Sequence, residues 1–316
     1  MTPSRAKAVA QIAYLFTFPL VMNYREMYRQ AVDASSSSFS GGFGTWRQVA
    51  PTESGSGGVA GPSGGALQSM VWLDLRTEPW WYTEPAVPPG VSFRSRWIDL
   101  WGFELDDRGA PKDGRHRASV LAASPTRVRS VPVEVDAVVR GESAFVALRT
   151  EVRWRDESAG REVPRVLADM VLEPVSAHLG RPAPAPAPAM SWWRWRDGME
   201  VTDEFWSCAS FALSLTTPHP DDRSILDRIA EIGVVSGQPW DASRFPDEIA
   251  ESIGTGMDGG LSDLLEATSE TVDACGEPCR REEMDRDCFG RALGALYPVD
   301  ALGGLRWPTD MTEALQ

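Results

Sequence analysis

Between Leu67 and Trp154 the chain breaks into short apolar runs separated by turn residues, and this restricts the fold more than any other feature. The runs are Met70-Val71-Trp72-Leu73, Val91-Ser92-Phe93, Trp97-Ile98-Asp99-Leu100-Trp101, Ser119-Val120-Leu121, Val131 to Val139 and Phe145-Val146-Ala147-Leu148-Arg149. They are rich in β-branched and aromatic residues, and strands recurring at about 8–12 residues imply an antiparallel sheet or sandwich. A chain with 24 Pro, 28 Gly and 13 Trp is also a poor candidate for an all-helical bundle.

Helical patterns flank this region. Residues 4–31 read as one long helix whose apolar face is supplied by Ala8, Ile12, Leu15, Phe16, Leu20, Met22 and Tyr24, with Pro19 expected to kink it or begin a second helix. Arg5 and Lys7 before the run Ala8–Met22 mimic a signal peptide. Gln11 and Pro19 interrupt it and no small-residue cleavage site follows closely, so a helix of the mature fold is expected. The run is also too short to span a bilayer. Residues 33–66 are Ser/Gly-rich and read as loop or partly disordered.

Leu167 to Leu179 reads as a short amphipathic helix or a strand-to-loop exit, leading to the alternating tract Arg181-Pro182-Ala183-Pro184-Ala185-Pro186-Ala187-Pro188. Each Pro fixes its own φ and restricts the residue before it, so the tract is a stiff extended linker. Beyond it, helices are expected around Phe205–Leu213, Ser224–Ile232 behind the acidic pair Asp221-Asp222, Phe245–Ile253, Leu261–Val272 and Glu282–Tyr297. The expected fold is therefore α+β: an antiparallel β-sheet or sandwich core with an N-terminal helix and a C-terminal helical layer. Residues 1–180 form the helix and β domain, 181–190 the linker and 191–316 the helical region.

The formal net charge of −14 opposes attraction to nucleic acid or an anionic membrane, so neither is an expected partner, and the cytoplasm is the expected location. Only Lys7 and Lys112 are lysines, and the remaining basic residues are arginines. Cys208, Cys275, Cys279 and Cys288 lack a local histidine, since His116, His178 and His219 all lie elsewhere in the sequence. Reduced thiols or one local disulfide are expected rather than a metal centre, and no cofactor is implied.

Among the carboxylates, Asp99 stands between Trp97 and Trp101. Strand alternation puts all three on one face, where burial would raise the Asp99 pKa as acid–base chemistry requires. The structural alternative is that Asp99 accepts hydrogen bonds from Arg or backbone groups and orders the sheet. Asp74 has Trp72 as its period-two neighbour and poses the same choice. Arg94 and Arg96 could form an anion-receiving group with Arg149, because the planar guanidinium binds two oxygens at once. Trp192, Trp193 and Trp195, interleaved with Arg194 and Arg196, read as apolar packing with Arg stacking, or as an aromatic lid or docking surface. Gly61–Gly65 spells GxSxG and Gly254–Gly259 spells GxGxxG. The first lies in a Ser/Gly tract and the second follows a helix, so both read as plain loop.

Several blocks together resemble the two-domain family in which domain-of-unknown-function 1254 is joined to domain-of-unknown-function 1214. They are Ala13-Tyr14 through Pro19-Leu20-Val21, Trp72-Leu73-Asp74-Leu75 with Glu78-Pro79, Trp97 to Trp101, Arg149-Thr150, Leu172-Glu173-Pro174-Val175 and His219 to Asp241. These blocks run from about residue 13 to 241 and resemble that family's first domain and helical connector. The family's N-x-D-T-x-Y motif is replaced by Ser63, Gly64, Gly65, Ala66, Leu67 and Gln68. The resemblance implies a second, β-sandwich domain, which would begin where this sequence stops at Gln316. An accessory or binding protein is therefore expected, completed by a second-domain partner chain or by self-association. The alternative is an enzyme of specialised biosynthesis, holding a small molecule in an aromatic pocket around Trp97, Asp99 and Trp101.

Overall fold

The computed structural model describes residues 1–49, 65–109, 119–122 and 135–275. Strand β1 (Arg47–Val49) is followed by β2 (Gly65–Asp74), β3 (Trp80–Thr83), β4 (Val91–Asp99), β5 (Glu104–Gly109), β6 (Ser119–Ala122), β7 (Ala137–Val139), β8 (Phe145–Trp154) and β9 (Val171–Pro174). They form a five-stranded sheet of order β1-β2-β8-β4-β5 and a four-stranded sheet of order β7-β6-β3-β9. The first sheet is antiparallel throughout, whereas β6 and β7 run parallel, which departs from the antiparallel expectation. The fold is α+β, as the sequence pattern implies.

Period-two alternation explains how the five-stranded sheet is buried. Val71, Leu73, Phe93, Trp97, Val146, Leu148 and Val152 point to one side and share a core with Tyr82, Ala122 and Val139 of the other sheet. Met70, Trp72, Phe145 and Ala147 point to the opposite side and join a larger helical core.

Helix α1 (Pro3–Met27) lies between that second face and the C-terminal helices. Thr2 caps it by accepting the Arg5 N–H at 3.3 Å, and Pro3 occupies the first turn, where its missing N–H costs nothing. The helix runs on through Pro19 and ends in a single π-helical turn, Tyr28–Val32, so no second helix begins at the proline. It is apolar around most of its circumference, with Tyr14, Phe18, Leu20, Val21 and Tyr24 all fully buried, as a helix enclosed on several sides must be.

Short helices α2 (Glu157–Gly160), α3 (Val163–Ala168) and α4 (Val175–His178) follow the sheet, so Leu167–Leu179 contains both β9 and a short helix. The Pro-Ala tract is neither helix nor strand, and it is anchored: the Ala187 N–H donates to Thr77 Oγ1 at 2.9 Å. Helices α5 (Glu204–Leu213), α6 (Arg223–Ile229) and α7 (Asp247–Cys275) then complete the helical layer. The two helices expected over Phe245–Ile253 and Leu261–Val272 are one continuous helix, and Gly254–Gly259 is helix interior rather than loop.

Packing against α1 explains those glycines. A Cβ at Gly256 would sit 2.3 Å from the Lys7 carbonyl oxygen and 2.7 Å from Ala10 Cβ, and one at Gly260 would sit 3.0 Å from Tyr14 Cδ1. The two lie four residues apart on one helix face, so their absent side chains set the closeness of the α1–α7 crossing. No helix among the described residues is long and apolar enough to cross a membrane. The Glu282–Tyr297 helix, Cys279, Cys288 and most of the GxSxG segment lie outside the described residues, as do Ser63 and Gly64 of the replaced motif. The other positions of that motif, Gly65 to Gln68, begin β2.

Candidate functional site

The residues singled out in the sequence fall into three places. Asp99 is the last residue of β4 and is fully buried. The turn that follows is closed by Gly102 N–H to the Asp99 carbonyl at 3.0 Å and Asp99 N–H to the Phe103 carbonyl at 3.1 Å. Gly102 takes φ 84°, the left-handed conformation that side chains disfavour. The Asp99 carboxylate accepts N–H groups from Phe103 at 3.1 Å and Glu142 at 3.3 Å. Burial nevertheless pushes its pKa up to about 7, and the backbone N–H groups offset only part of that rise.

Trp97 packs edge-on against Tyr82, with ring centroids 5.8 Å apart, in the core between the sheets. Trp101 lies past the end of β4 and packs on Phe16 of α1 at 5.0 Å in the helical core. The turn after Asp99 breaks the alternation, so Trp97 and Trp101 are divided between two cores. Asp99 thus combines the raised pKa with the hydrogen bonding of a residue that fixes a turn.

Asp74 is tied to Arg76. The guanidinium donates Nε to both carboxylate oxygens at 3.0 and 3.1 Å and Nη2 to Oδ2 at 2.7 Å. Arg76 lies 5.2 Å over the Phe145 ring and 6.0 Å over that of Trp192, and it donates to the Pro188 carbonyl at 3.4 Å. Phe43 stacks on the same Trp192 at 6.0 Å. This clamp fastens the end of the Pro-Ala tract to the sheet. Trp195 is buried beneath Arg25, 5.6 Å from the guanidinium carbon. Two of the tryptophans after the linker therefore carry stacked arginines.

The arginines come together as register dictates. Arg96 of β4 stands opposite Arg149 of β8, and Arg149 stands opposite Met70 of β2, whose other neighbour is Arg47 of β1. Arg94 faces Glu151, and Arg153 lies two residues further along β8 on the same side. Five arginines thus share the lower half of the sheet face whose upper half lies under α1. Among the described residues, the acids Glu104 and Glu151 are interspersed with them. Arg153 binds Glu151 at 2.8 Å, while Arg96 is 4.0 Å from Glu104. Adjacent strands are about 5 Å apart, so Arg47 and Arg149, two strands apart, are close enough for one ligand or surface to engage both.

Arg47 also lines an open cleft of about 720 Å³, with Tyr28, Arg29, Asp33, Ser35 to Ser38, Trp195, Arg196 and Asp197. Arg29 is paired with Asp197, and Arg196 with Glu204. Hydrogen bonds from the Ser35 hydroxyl and N–H hold the Asp33 carboxyl below the usual range. Arg47 makes no hydrogen bond or ion pair among the described residues. Sequence reading missed this cleft because its serines sit in the Ser/Gly tract and its arginines lie in three separate segments. No group of His, Cys, Asp and Glu among the described residues could hold a metal ion. Cys208 is a free, buried thiol whose pKa is raised by burial.

Residues 41–174 match a family described as "Protein of unknown function (DUF1254)". The fold is similar to that of the VPA0106 protein from Vibrio parahaemolyticus, with a TM-score of 0.70 at 20% sequence identity, over 95% of this chain and 68% of that one. An uncharacterised protein from Burkholderia cenocepacia aligns with a TM-score of 0.26 at 12% identity, over 58% of this chain and 51% of that one. No curated protein matches the sequence.

Proposed function

Taking residues 41–174 as a DUF1254 domain, we propose that the chain is an accessory binding protein that engages an acidic protein surface through the arginine face of its five-stranded sheet. One observation carries this reading. A chain of net charge −14 gathers Arg47, Arg94, Arg96, Arg149 and Arg153 on half of one sheet face. Arg94 and Arg153 are exposed there, and guanidinium forks favour carboxylates on an approaching partner. The partner is a separate chain or a second copy, and a cytoplasmic setting accords with the free thiol of Cys208.

Size-exclusion chromatography with light scattering tests this, with and without the co-expressed product of a neighbouring gene. The expected result is a complex at about 50 mM salt that dissociates near 500 mM, where charges are screened within a few ångströms. It should also fail to form in an Arg94→Glu/Arg153→Glu variant. A monomer under every condition would refute the proposal.

The rival reading, a small-molecule enzyme built around Trp97, Asp99 and Trp101, draws on the raised pKa of Asp99. It has less support, because the two indoles lie in separate cores. An Asp99→Asn variant that keeps its fold but loses a measurable turnover would favour it.

A further inference from the structure

We propose that the cleft between the end of α1, the Ser35–Ser38 turn, Arg47 and Trp195–Asp197 binds a small hydroxylated anion, a sugar acid or sugar phosphate. This site is independent of the docking face except for Arg47, which borders both.

Size and lining define the ligand class. A cleft of about 720 Å³ falls within the range of roughly 300–1,000 Å³ usual for small-molecule sites. Among the described residues its rings are those of Tyr28 and Trp195, and the other lining residues are arginine, serine and aspartate. A mainly apolar ligand would find little to bury against, whereas one with several hydroxyl groups would find donors and acceptors at every side.

Charge selects an anion. Arg29, Arg47 and Arg196 line the cleft, and Arg194 is close enough to lower the Asp33 pKa. Against these four cations stand Asp33, Asp197 and Glu204. Arg29 and Arg196 are already paired, which leaves Arg47 as a guanidinium with no partner among the described residues, half-buried at the cleft wall. A carboxylate or phosphate can take its two-pronged hydrogen bonds without displacing an existing ion pair.

The hydroxyl groups have their own partners. Ser35 is engaged with Asp33, and Ser36 Oγ accepts the Ser38 N–H at 3.1 Å. The hydroxyls of Ser37 and Ser38 make no hydrogen bond among the described residues and remain available to a ligand. Asp197, exposed and paired on one side with Arg29, can accept from a ligand hydroxyl. Trp195, buried and held by Arg25 stacked at 5.6 Å, gives the cleft a fixed inner edge.

Isothermal titration calorimetry on the full chain tests the site with four probes: glucuronate, glucose 6-phosphate, glucose and succinate. Binding of glucuronate or glucose 6-phosphate is expected, and whichever is tighter distinguishes a carboxylate from a phosphate ligand. Glucose lacks the anion and succinate lacks the hydroxyl groups, so each should bind at least about tenfold more weakly. Arg47→Ala should lose about tenfold or more in affinity, and Ser37→Ala, a change at an exposed turn, about threefold. Arg94→Ala, on the docking face but outside the cleft, should bind as the parent does. Failure of both anions to bind overturns the proposal. So does equal binding by glucose or by succinate, or undiminished affinity in Arg47→Ala whose thermal melt matches the parent. A loss in Arg94→Ala equal to that in Arg47→Ala would assign the anion to the docking face and overturn the cleft as its site.

Discussion

The two faces of the five-stranded sheet are built from the same strands and differ in what their alternate positions carry. On one side β4 contributes Phe93, Ser95 and Trp97, all buried against the second sheet. On the other it contributes Arg94, Arg96 and Ile98, and only Ile98 is buried. The first face is filled along its whole length. The second is filled only where α1 covers it, over Met70, Trp72, Phe145 and Ala147, and below that it turns to arginine. A sheet needs one fully apolar face to fold, and the second can be divided between structure and recognition.

Removing the largest side chain from the filled face should cost most. Trp97→Ala is expected to destabilise the protein by about 3–5 kcal/mol, read from chemical denaturation. A loss below about 1 kcal/mol would mean that this face does not depend on close packing. Asp99 tests the same interior by titration. Its pKa is about 7 in the folded protein and near 3.8 when exposed, so between those values the folded chain keeps a proton that the unfolded chain has released. The stabilisation is complete below about pH 4 and disappears as pH rises through 7, a contribution on the order of 4 kcal/mol. The difference in stability between the parent and Asp99→Asn should therefore shift against the parent from pH 4 to 8. Parallel curves would show that Asp99 is not buried as a neutral acid.

The covered half of the second face depends on α1, and α1 in turn on its crossing with α7. A side chain at Gly256 meets the Lys7 carbonyl at 2.3 Å, so Gly256→Val should lower stability by about 1–3 kcal/mol through displacement of α1. An unchanged melting temperature would show that the crossing has room to spare.

Much of this was legible in the sequence, and the losses have physical causes. The strands of β2, β4 and β8 could be read because alternation is a local property, and alternation put Arg94 and Arg96 on one face; that Arg149 stands beside them follows from the pairing of β4 with β8, which no local pattern contains. Trp101 was misplaced because one glycine turn after Asp99 ends the period, and a turn of that kind has no length signature. The glycines at 254–259 read as loop because helix propensity counts them as a cost, while the neighbour that requires Gly256, α1, is about 250 residues away in sequence. The cleft was invisible for the same reason: Arg29, Arg47 and Arg196 become neighbours only in three dimensions.

The smallest expected effect on stability is also the one that separates the two faces most directly. Arg94 and Arg153 are exposed, and among the described residues Arg153 has only Glu151 as a close ion-pair partner. An exposed pair of this kind is worth about 0–1 kcal/mol and weakens as salt rises. An Arg94→Ser/Arg153→Ser double variant should therefore stay within about 0.5 kcal/mol of the parent in denaturant titration while losing its salt-dependent association. A drop of about 2 kcal/mol or more would make the arginines part of the fold's own support. The second face would then be structural throughout, and its resemblance to a docking surface would be a by-product of strand pairing.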